Sequence, residues 1–310
     1  MHPRADYDVA VIGGGIAGLS AAVQAGSRGA EVCLVEAEPM HGGLVFNVGA
    51  LDDYPSPQAL SGAALAEHLL ARARAGGARS LEGRVRSIVS VGGGFAIETE
   101  AGARIGARSA IVATGARLRR LGVPGEAELE GRGVSRCDWC DAGFFRGQPV
   151  AVVGGGDAAM QAALHLAKTS STVTVIVRGA EARARRSYLE RAADESRIEF
   201  LWDTRVVEIV GADRVEALRL ESDDPSAPAR LECAGVFVFA GLEACTDAVT
   251  ATAARDGAGR LQTGADLQTT VPGLFAAGAV RSGHPGGLAA AIGDGSVAAA
   301  GACAWARQDG

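Results

Sequence analysis

The sequence predicts an α/β fold in which one strand–turn–helix–strand design occurs twice. Three observations carry that prediction. Residues 9–36, VAVIGGGIAGLSAAVQAGSRGAEVCLVE, match residues 150–177, VAVVGGGDAAMQAALHLAKTSSTVTVIV, without a gap at an offset of 141. Each copy reads as four apolar residues of a buried parallel strand, a glycine turn, an alanine-rich helix and a second apolar strand. Both turns fit G-x-G-x-x-G/A, with Gly13, Gly15 and Gly18 in one copy and Gly154, Gly156 and Ala159 in the other. The two units are therefore expected to be Rossmann-like dinucleotide-binding domains.

The chemistry behind the turn is specific. Its first glycine makes the bend, its second lets backbone approach a pyrophosphate, and its third allows close helix–strand packing. The following helix offers unpaired N–H groups and a positive dipole end to the phosphates. The copies differ at the end of the second strand. Glu36 in the first is an acceptor for ribose hydroxyls and unfavourable beside a 2′-phosphate. The second has Val177 there, then Arg178, with Arg183, Arg185 and Arg186 close behind, so it leans toward NADP. The first site is expected to hold FAD or NAD.

Other elements follow in order. RIGARSAIVATG (104–115) reads as a strand ending in a small-residue turn, and VFVFAG (236–241) as another strand. Pro225 and Pro228 lie in a polar hairpin or loop around 222–229. GLFAAG (273–278) runs a strand into a glycine turn, and a helix of alanine and glycine over 288–305 could press close to a ligand.

Composition removes several function classes. The 310 residues are 48% hydrophobic and 21% charged, a balance that suits folded domains and argues against disorder. The 44 glycines point to tight turns and close backbone approaches. A net charge of −6 gives no electrostatic case for nucleic acid. The single lysine, Lys168, reads as coding bias. The N-terminus shows no secretory pattern, and the uncharged stretch 9–27 is interrupted by glycines that suit a turn better than a membrane span. A soluble, cytoplasmic protein is expected. Six cysteines are too few for a disulfide scaffold. The histidines His2, His41, His68, His165 and His284 are scattered, and no metal site is expected.

Two of the cysteines form Cys137-Asp138-Trp139-Cys140, just before the second glycine turn. A zinc half-site would need a second pair, which the sequence lacks. A structural disulfide does not suit a reducing compartment. Two ordinary buried cysteines and a redox-active pair remain, and the second fits an electron path from nicotinamide through flavin to a disulfide. Asp141, next in sequence, is a candidate proton donor to a leaving thiolate.

The chain resembles the low-molecular-weight thioredoxin reductase family over its length. The resemblance rests on VIGGGIAGLSAA, the glycine pair Gly42-Gly43, IVATGARLRRLGVPGE, GRGVSRCDWCD, VAVVGGGDAA and VPGLFAAGAVR. It implies an FAD domain split over 1–117 and 244–310, with an NAD(P) domain inserted at 118–243, a homodimer, and a large rotation between domains. It implies that Cys140 faces the flavin, Cys137 exchanges with substrate and Asp141 shuttles the proton. FAD-binding positions carried over are Gly13, Gly15, Ala17, Gly18, Glu36, Gly42 and Gly43. To these the resemblance adds Val85, Ala113, Thr114, Gly115, Gly278, Ala279, Gly287, Leu288 and Ala289. NADPH-binding positions are Gly154, Gly156, Asp157, Ala159, Arg178 and Arg183. The implied activity is electron transfer from NADPH through FAD to Cys137–Cys140, and on to a thioredoxin-like protein or a small disulfide. Alternatives from related enzymes are a dithiol oxidase that passes electrons to oxygen and a reductase with another donor such as ferredoxin. A nucleotide-binding regulator without turnover is a third.

Five departures from the family pattern bear on this. Leu44 replaces a glutamine, Asp53 an asparagine, and Ala279 an aspartate that hydrogen-bonds the ribityl chain. Losing that bond costs about 1–2 kcal/mol of cofactor affinity. The family's H-R-R-x-x-x-R becomes Val177-Arg178-Gly179-Ala180-Glu181-Ala182-Arg183, which weakens NADPH preference. Asp138 and Trp139 replace small residues between the cysteines. The carboxylate is expected to raise the thiol pKa values, and the indole to screen the disulfide or stack on a small substrate.

Overall fold

The computed structural model describes residues 6–51, 54–55, 60–249 and 253–308. The chain divides into two compact units, Met1–Arg117 with Glu243–Gly310, and Leu118–Leu242.

The first passage through the larger unit runs β1 (Tyr7–Ile12), α1 (Ile16–Gly26), β2 (Val32–Glu36), α2 (Gly62–Ala75), β3 (Arg79–Glu82), β4 (Val85–Val91), β5 (Gly94–Thr99), β6 (Arg104–Val112) and β7 (Ala116–Leu118). The smaller unit follows with β8 (Val134–Ser135), α3 (Asp138–Asp141), β9 (Pro149–Val153), α4 (Asp157–Leu166), β10 (Thr172–Ile176), α5 (Arg186–Asp194), β11 (Ile198–Leu201), β12 (Thr204–Val210), β13 (Ala217–Ser222), β14 (Arg230–Glu232) and β15 (Gly235–Val238). The chain then returns through β16 (Leu242–Ala244), β17 (Leu274–Ala276) and α6 (Leu288–Gln308).

In the larger unit, strands order as β3-β2-β1-β6-β5-β4, with β17 also on β6. The pairs β1–β2, β1–β6, β2–β3 and β6–β17 are parallel, and the β4–β5–β6 meander is antiparallel. Strand β1 is apolar on both faces because helices α1 and α6 cover one face while β4, β5 and the segment around Val249 and Leu261 cover the other. Helix α2 begins at Ser61, whose hydroxyl accepts from Ala64 N–H at 3.1 Å, and stops at Gly76 with Arg72 and Arg74 in its last turn.

The smaller unit holds an all-parallel sheet, β11-β10-β9-β15-β8, and a separate antiparallel sheet, β12-β13-β14. The polar stretch with Pro225 and Pro228 joins β13 to β14. In both units the repeated segment forms the parallel strand–turn–helix–strand that its pattern predicts, so the two Rossmann-like units are present.

Helix α6 is long and apolar enough to cross a membrane by composition. Its small residues have another reason. A Cβ on Gly295 would stand 2.3 Å from the Ala17 carbonyl oxygen, so glycine there lets α6 press onto α1. Buried residues of α6, among them Leu288, Ala298, Ala299 and Ala302, share one core with α1.

Candidate active site

The first glycine turn is built by backbone constraints that only glycine meets. Gly13 has φ +105°, and a Cβ there would sit 2.4 Å from the Ala113 carbonyl oxygen. A Cβ on Gly18 would lie 1.8 Å from Gly13 O, and one on Gly278 2.9 Å from Ala17 Cβ. Gly42 N–H donates to Gly14 O at 2.8 Å, and Ala113 N–H to Ile12 O at 2.7 Å. The structure thus gathers Gly13, Gly15, Ala17, Gly18, Gly42, Ala113 and Gly278 around one turn. Gly15 itself faces open space, with nothing within 4 Å of its would-be Cβ, and it caps α1 with no side-chain hydrogen bond. An open approach to an uncapped helix N-terminus is what a pyrophosphate requires. Among these residues, a dinucleotide fits.

Glu36 closes the strand beside this turn. Its Oε2 accepts from Gly14 N–H at 2.5 Å and its Oε1 from Glu38 N–H at 2.9 Å. Gly83 N–H donates to Glu36 O at 2.7 Å, which places Val85, at the head of β4, just beyond it. His41 lies between Glu36 and the glycine pair with Nε2 3.2 Å from Ser80 Oγ, and burial lowers its pKa against the opposing pull of Glu36. Thr114 Oγ1 donates to Cys245 O at 2.5 Å. Gly43 and Leu44 are exposed, and Gly115 has open space around it. Asp53 lies outside the described residues.

Ala279 stands in the turn after β17, next to a buried knot of charge that no local pattern signals. Asp294 of α6 accepts from Arg281 Nη2 at 2.6 Å and Nε at 2.7 Å, from Gly278 N–H at 3.0 Å, and pairs with His284 Nδ1 at 3.0 Å. Burial pushes the Asp294 carboxyl upward, but hydrogen bonds from His284, Arg281 and Gly278 outweigh it and hold it well below the usual carboxylate range. Gly287 precedes α6 at φ +84°, Leu288 is buried and Ala289 exposed.

The second turn repeats the logic. Gly154 has φ +149° and a would-be Cβ 2.4 Å from Phe239 O, while Gly156 faces open space and caps α4 without a side chain. Ala159 is fully buried beneath it. Asp157 is engaged by Arg185, through N–H and Nε at 2.7 Å each, and Arg186 pairs with Glu190. Two of the four arginines noted in the sequence are therefore occupied. Arg178 and Arg183 are exposed and have no ion-pair partner among the described residues, which leaves both guanidinium groups able to take a phosphate. Backbone N–H groups of Arg183 and Ala184 donate to Gly155 O at 2.6 and 3.0 Å, fixing this arginine loop over the turn.

The cysteines lie in the same unit as the second turn. Cys137 and Cys140 are joined as a disulfide with Cα atoms 5.3 Å apart. Cys137 caps the single helical turn Asp138–Asp141, its Sγ accepting from Cys140 N–H at 3.1 Å. Ser135 Oγ accepts from Cys137 N–H at 3.0 Å. Arg136 pairs with buried Glu126 at 3.0 Å and also with Glu130, tying the approach to the first cysteine. Cys140 is exposed and Cys137 half-buried. Asp141 is half-buried and lines a cleft of about 540 Å³ with Ser135, Phe144, Phe145 and Cys233. Cys33 and Cys233 are buried, and burial pushes their thiols up to about 11 and about 12. Among the described residues, no cluster could hold a metal ion.

Asp138 is not the bare carboxylate that its position suggests. His165 Nδ1 lies 2.8 Å from its Oδ2. Trp139 stacks on the same imidazole, with ring centroids 4.0 Å apart, so one face of the indole is already occupied.

Two glycine cradles and a reducible cysteine pair define a nucleotide-dependent disulfide oxidoreductase. Residues 7–295 match the family model of pyridine nucleotide-disulphide oxidoreductases. A thioredoxin reductase from Treponema pallidum is 36% identical over 301 residues, 97% of each chain. One from Listeria innocua is 33% identical over 293 residues, 94% of this chain and 91% of that protein. The crystal structure of Lactococcus lactis thioredoxin reductase matches with a TM-score of 0.94 at 32% identity, over 98% of this chain and 100% of that one. The chain belongs to the pyridine nucleotide-disulphide oxidoreductase family. It is a thioredoxin reductase-like, FAD-dependent disulfide oxidoreductase with FAD and NADPH as its cofactors.

Proposed function

We propose that this enzyme reduces the disulfide of a thioredoxin, with Cys137–Cys140 as the pair that exchanges with it. The observation that carries this reading is an accessible disulfide in the unit that also bears the second nucleotide cradle. In this reading residues 1–117 and 244–310 hold FAD through the Gly13–Gly18 turn, Glu36, Gly42, Gly43 and the Gly278 turn. Residues 118–243 hold NADPH through Gly154, Gly156, Ala159, Arg178 and Arg183. Bound in its cradle, FAD supplies a two-electron relay between reduced nicotinamide and the disulfide.

The chain's own residues do the rest. The Cys137 thiolate attacks one sulfur of the thioredoxin disulfide and forms a mixed disulfide. The Cys140 thiolate then attacks Cys137 Sγ, releasing the thioredoxin dithiol and closing Cys137–Cys140 again. Asp141 donates the proton to the departing thiolate. Similarity to thioredoxin reductases across both cradles supports this direction over dithiol oxidation, a ferredoxin donor or a regulator without turnover. The enzyme is expected to act in the cytoplasm as a homodimer.

The test is a coupled assay. The FAD-loaded enzyme with NADPH and a bacterial thioredoxin should release thiols at a rate that depends on thioredoxin concentration and vanishes in Cys137→Ser. Thiol release from small disulfides alone, with thioredoxin untouched, would overturn the choice of partner.

A further inference from the structure

Four residues, Asp138–Asp141, form the whole of the helical turn at the redox centre, and none of them is buried. A turn this short has no stability of its own, so contacts elsewhere must fix it. On the N-terminal side these are Ser135 and Arg136. The two residues between the cysteines are both met by His165 of α4. It reaches Asp138 with Nδ1 at 2.8 Å and Trp139 with its ring face at 4.0 Å. Nδ1 carries the proton in this contact, because an ionised carboxylate only accepts. The His165 and Asp138 side chains are 19% and 15% exposed, so water screens the contact less than on an open surface.

The pairing has an electrical consequence. Opening the disulfide creates sulfurs that carry negative charge as thiolates, and a carboxylate on the adjacent residue opposes that charge. A donor aimed at Asp138 draws its charge away from the sulfurs and offsets part of the opposition. The same imidazole holds Trp139, so the two large residues between the cysteines are anchored together.

We propose that His165 is a positioning residue of the redox centre, holding the Cys137–Cys140 turn through Asp138 and Trp139 and offsetting the charge that Asp138 sets against the reduced form. The inference rests on Cys137–Cys140 being the redox pair. Its readout is the equilibrium of that pair, which needs no turnover. Failure of thioredoxin reduction with the equilibrium shift intact would sink the choice of partner and leave this inference standing.

The test equilibrates the holoenzyme anaerobically with mixtures of reduced and oxidised dithiothreitol. One dithiothreitol gives two electrons and two protons to the Cys137–Cys140 bond and leaves as its cyclic disulfide. Acid quenching, alkylation and peptide mass spectrometry then read the fraction reduced. His165→Ala should require about three- to tenfold more reduced over oxidised dithiothreitol at the midpoint. His165→Gln, which keeps a donor for Asp138, should recover most of that shift. In an Asp138→Asn background His165→Ala should shift nothing further. In a Trp202→Phe, Trp305→Phe background, His165→Ala should also raise iodide quenching of Trp139, with His165→Phe preserving protection. An unchanged midpoint, or the same shift with and without Asp138, would overturn the proposal.

Discussion

Arg281 and Asp294 meet through two hydrogen bonds, Nη2 to Oδ1 at 2.6 Å and Nε to Oδ2 at 2.7 Å, with only 14% and 10% of their side chains exposed. The pair joins the turn after β17 to α6, and Gly278 N–H and His284 converge on the same carboxylate. That turn carries Ala279, where the family pattern places a cofactor-binding aspartate. Asp294, 16 residues beyond Gly278, ties this turn to α6 by accepting from Gly278 N–H at 3.0 Å.

Asp294→Asn should destabilise the protein by about 3 kcal/mol at pH 7, because it leaves a largely buried guanidinium without its counter-charge. The folded carboxyl titrates below its unfolded value, so its stabilisation is complete above the unfolded pKa and fades as pH falls through the folded one. Denaturant unfolding should therefore show a constant gap between wild type and variant from about pH 5 to 8, narrowing below about pH 4.

Gly15 and Gly18 should respond differently to the same substitution. Gly18→Ala drives a Cβ to 1.8 Å from Gly13 O and should lower the melting temperature of the apoprotein or abolish folding. Gly15→Ala meets nothing within 4 Å, so the apoprotein should melt within a few degrees of wild type. Its methyl group projects into the open approach to α1, and FAD affinity should fall tenfold or more, about 1.4 kcal/mol or greater. Equal loss of cofactor and of apoprotein stability at Gly15 would contradict the cradle.

Both turns were legible in the sequence because a strand, a glycine bend and a helix leave a contiguous pattern, and here it occurs twice. The apolar strands 104–112 and 274–276 were legible for the same reason. The site's ionic contacts were not. His165 reaches back 27 residues to Asp138 and His284 is paired with Asp294 10 residues on, so neither histidine carries a local signal. The resemblance singled out Arg178 and Arg183 from the arginine cluster after β10, but nothing local shows that Arg185 and Arg186 are held by carboxylates while the other two are open. The alanine-rich C-terminal helix looked suited to a ligand, and its small residues serve helix packing against α1.

Arg178→Ala and Arg183→Ala should each raise the KM for NADPH about tenfold or more, with little change for NADH, since only NADPH carries the 2′-phosphate they would pair. Arg186→Ala should leave the ratio unchanged, its guanidinium being held by Glu190. Steady-state kinetics with both nucleotides reads the difference.

Cys140→Ser should abolish thioredoxin reduction while leaving Cys137 free to trap a thioredoxin through a mixed disulfide, because the resolving thiol is gone. Cys137→Ser should trap none. Gel electrophoresis without reductant separates the two outcomes, and trapping by Cys137→Ser alone would exchange the roles assigned to the sulfurs.

The most direct test of the account is an anaerobic titration of the FAD-loaded protein with NADPH, following the visible flavin band and then counting thiols. NADPH should bleach the band and open two new thiols per chain, and a Cys137→Ser, Cys140→Ser double variant should still bleach while gaining no thiols. A flavin band that stays yellow under excess NADPH, or bleaches without opening Cys137–Cys140, would contradict the account.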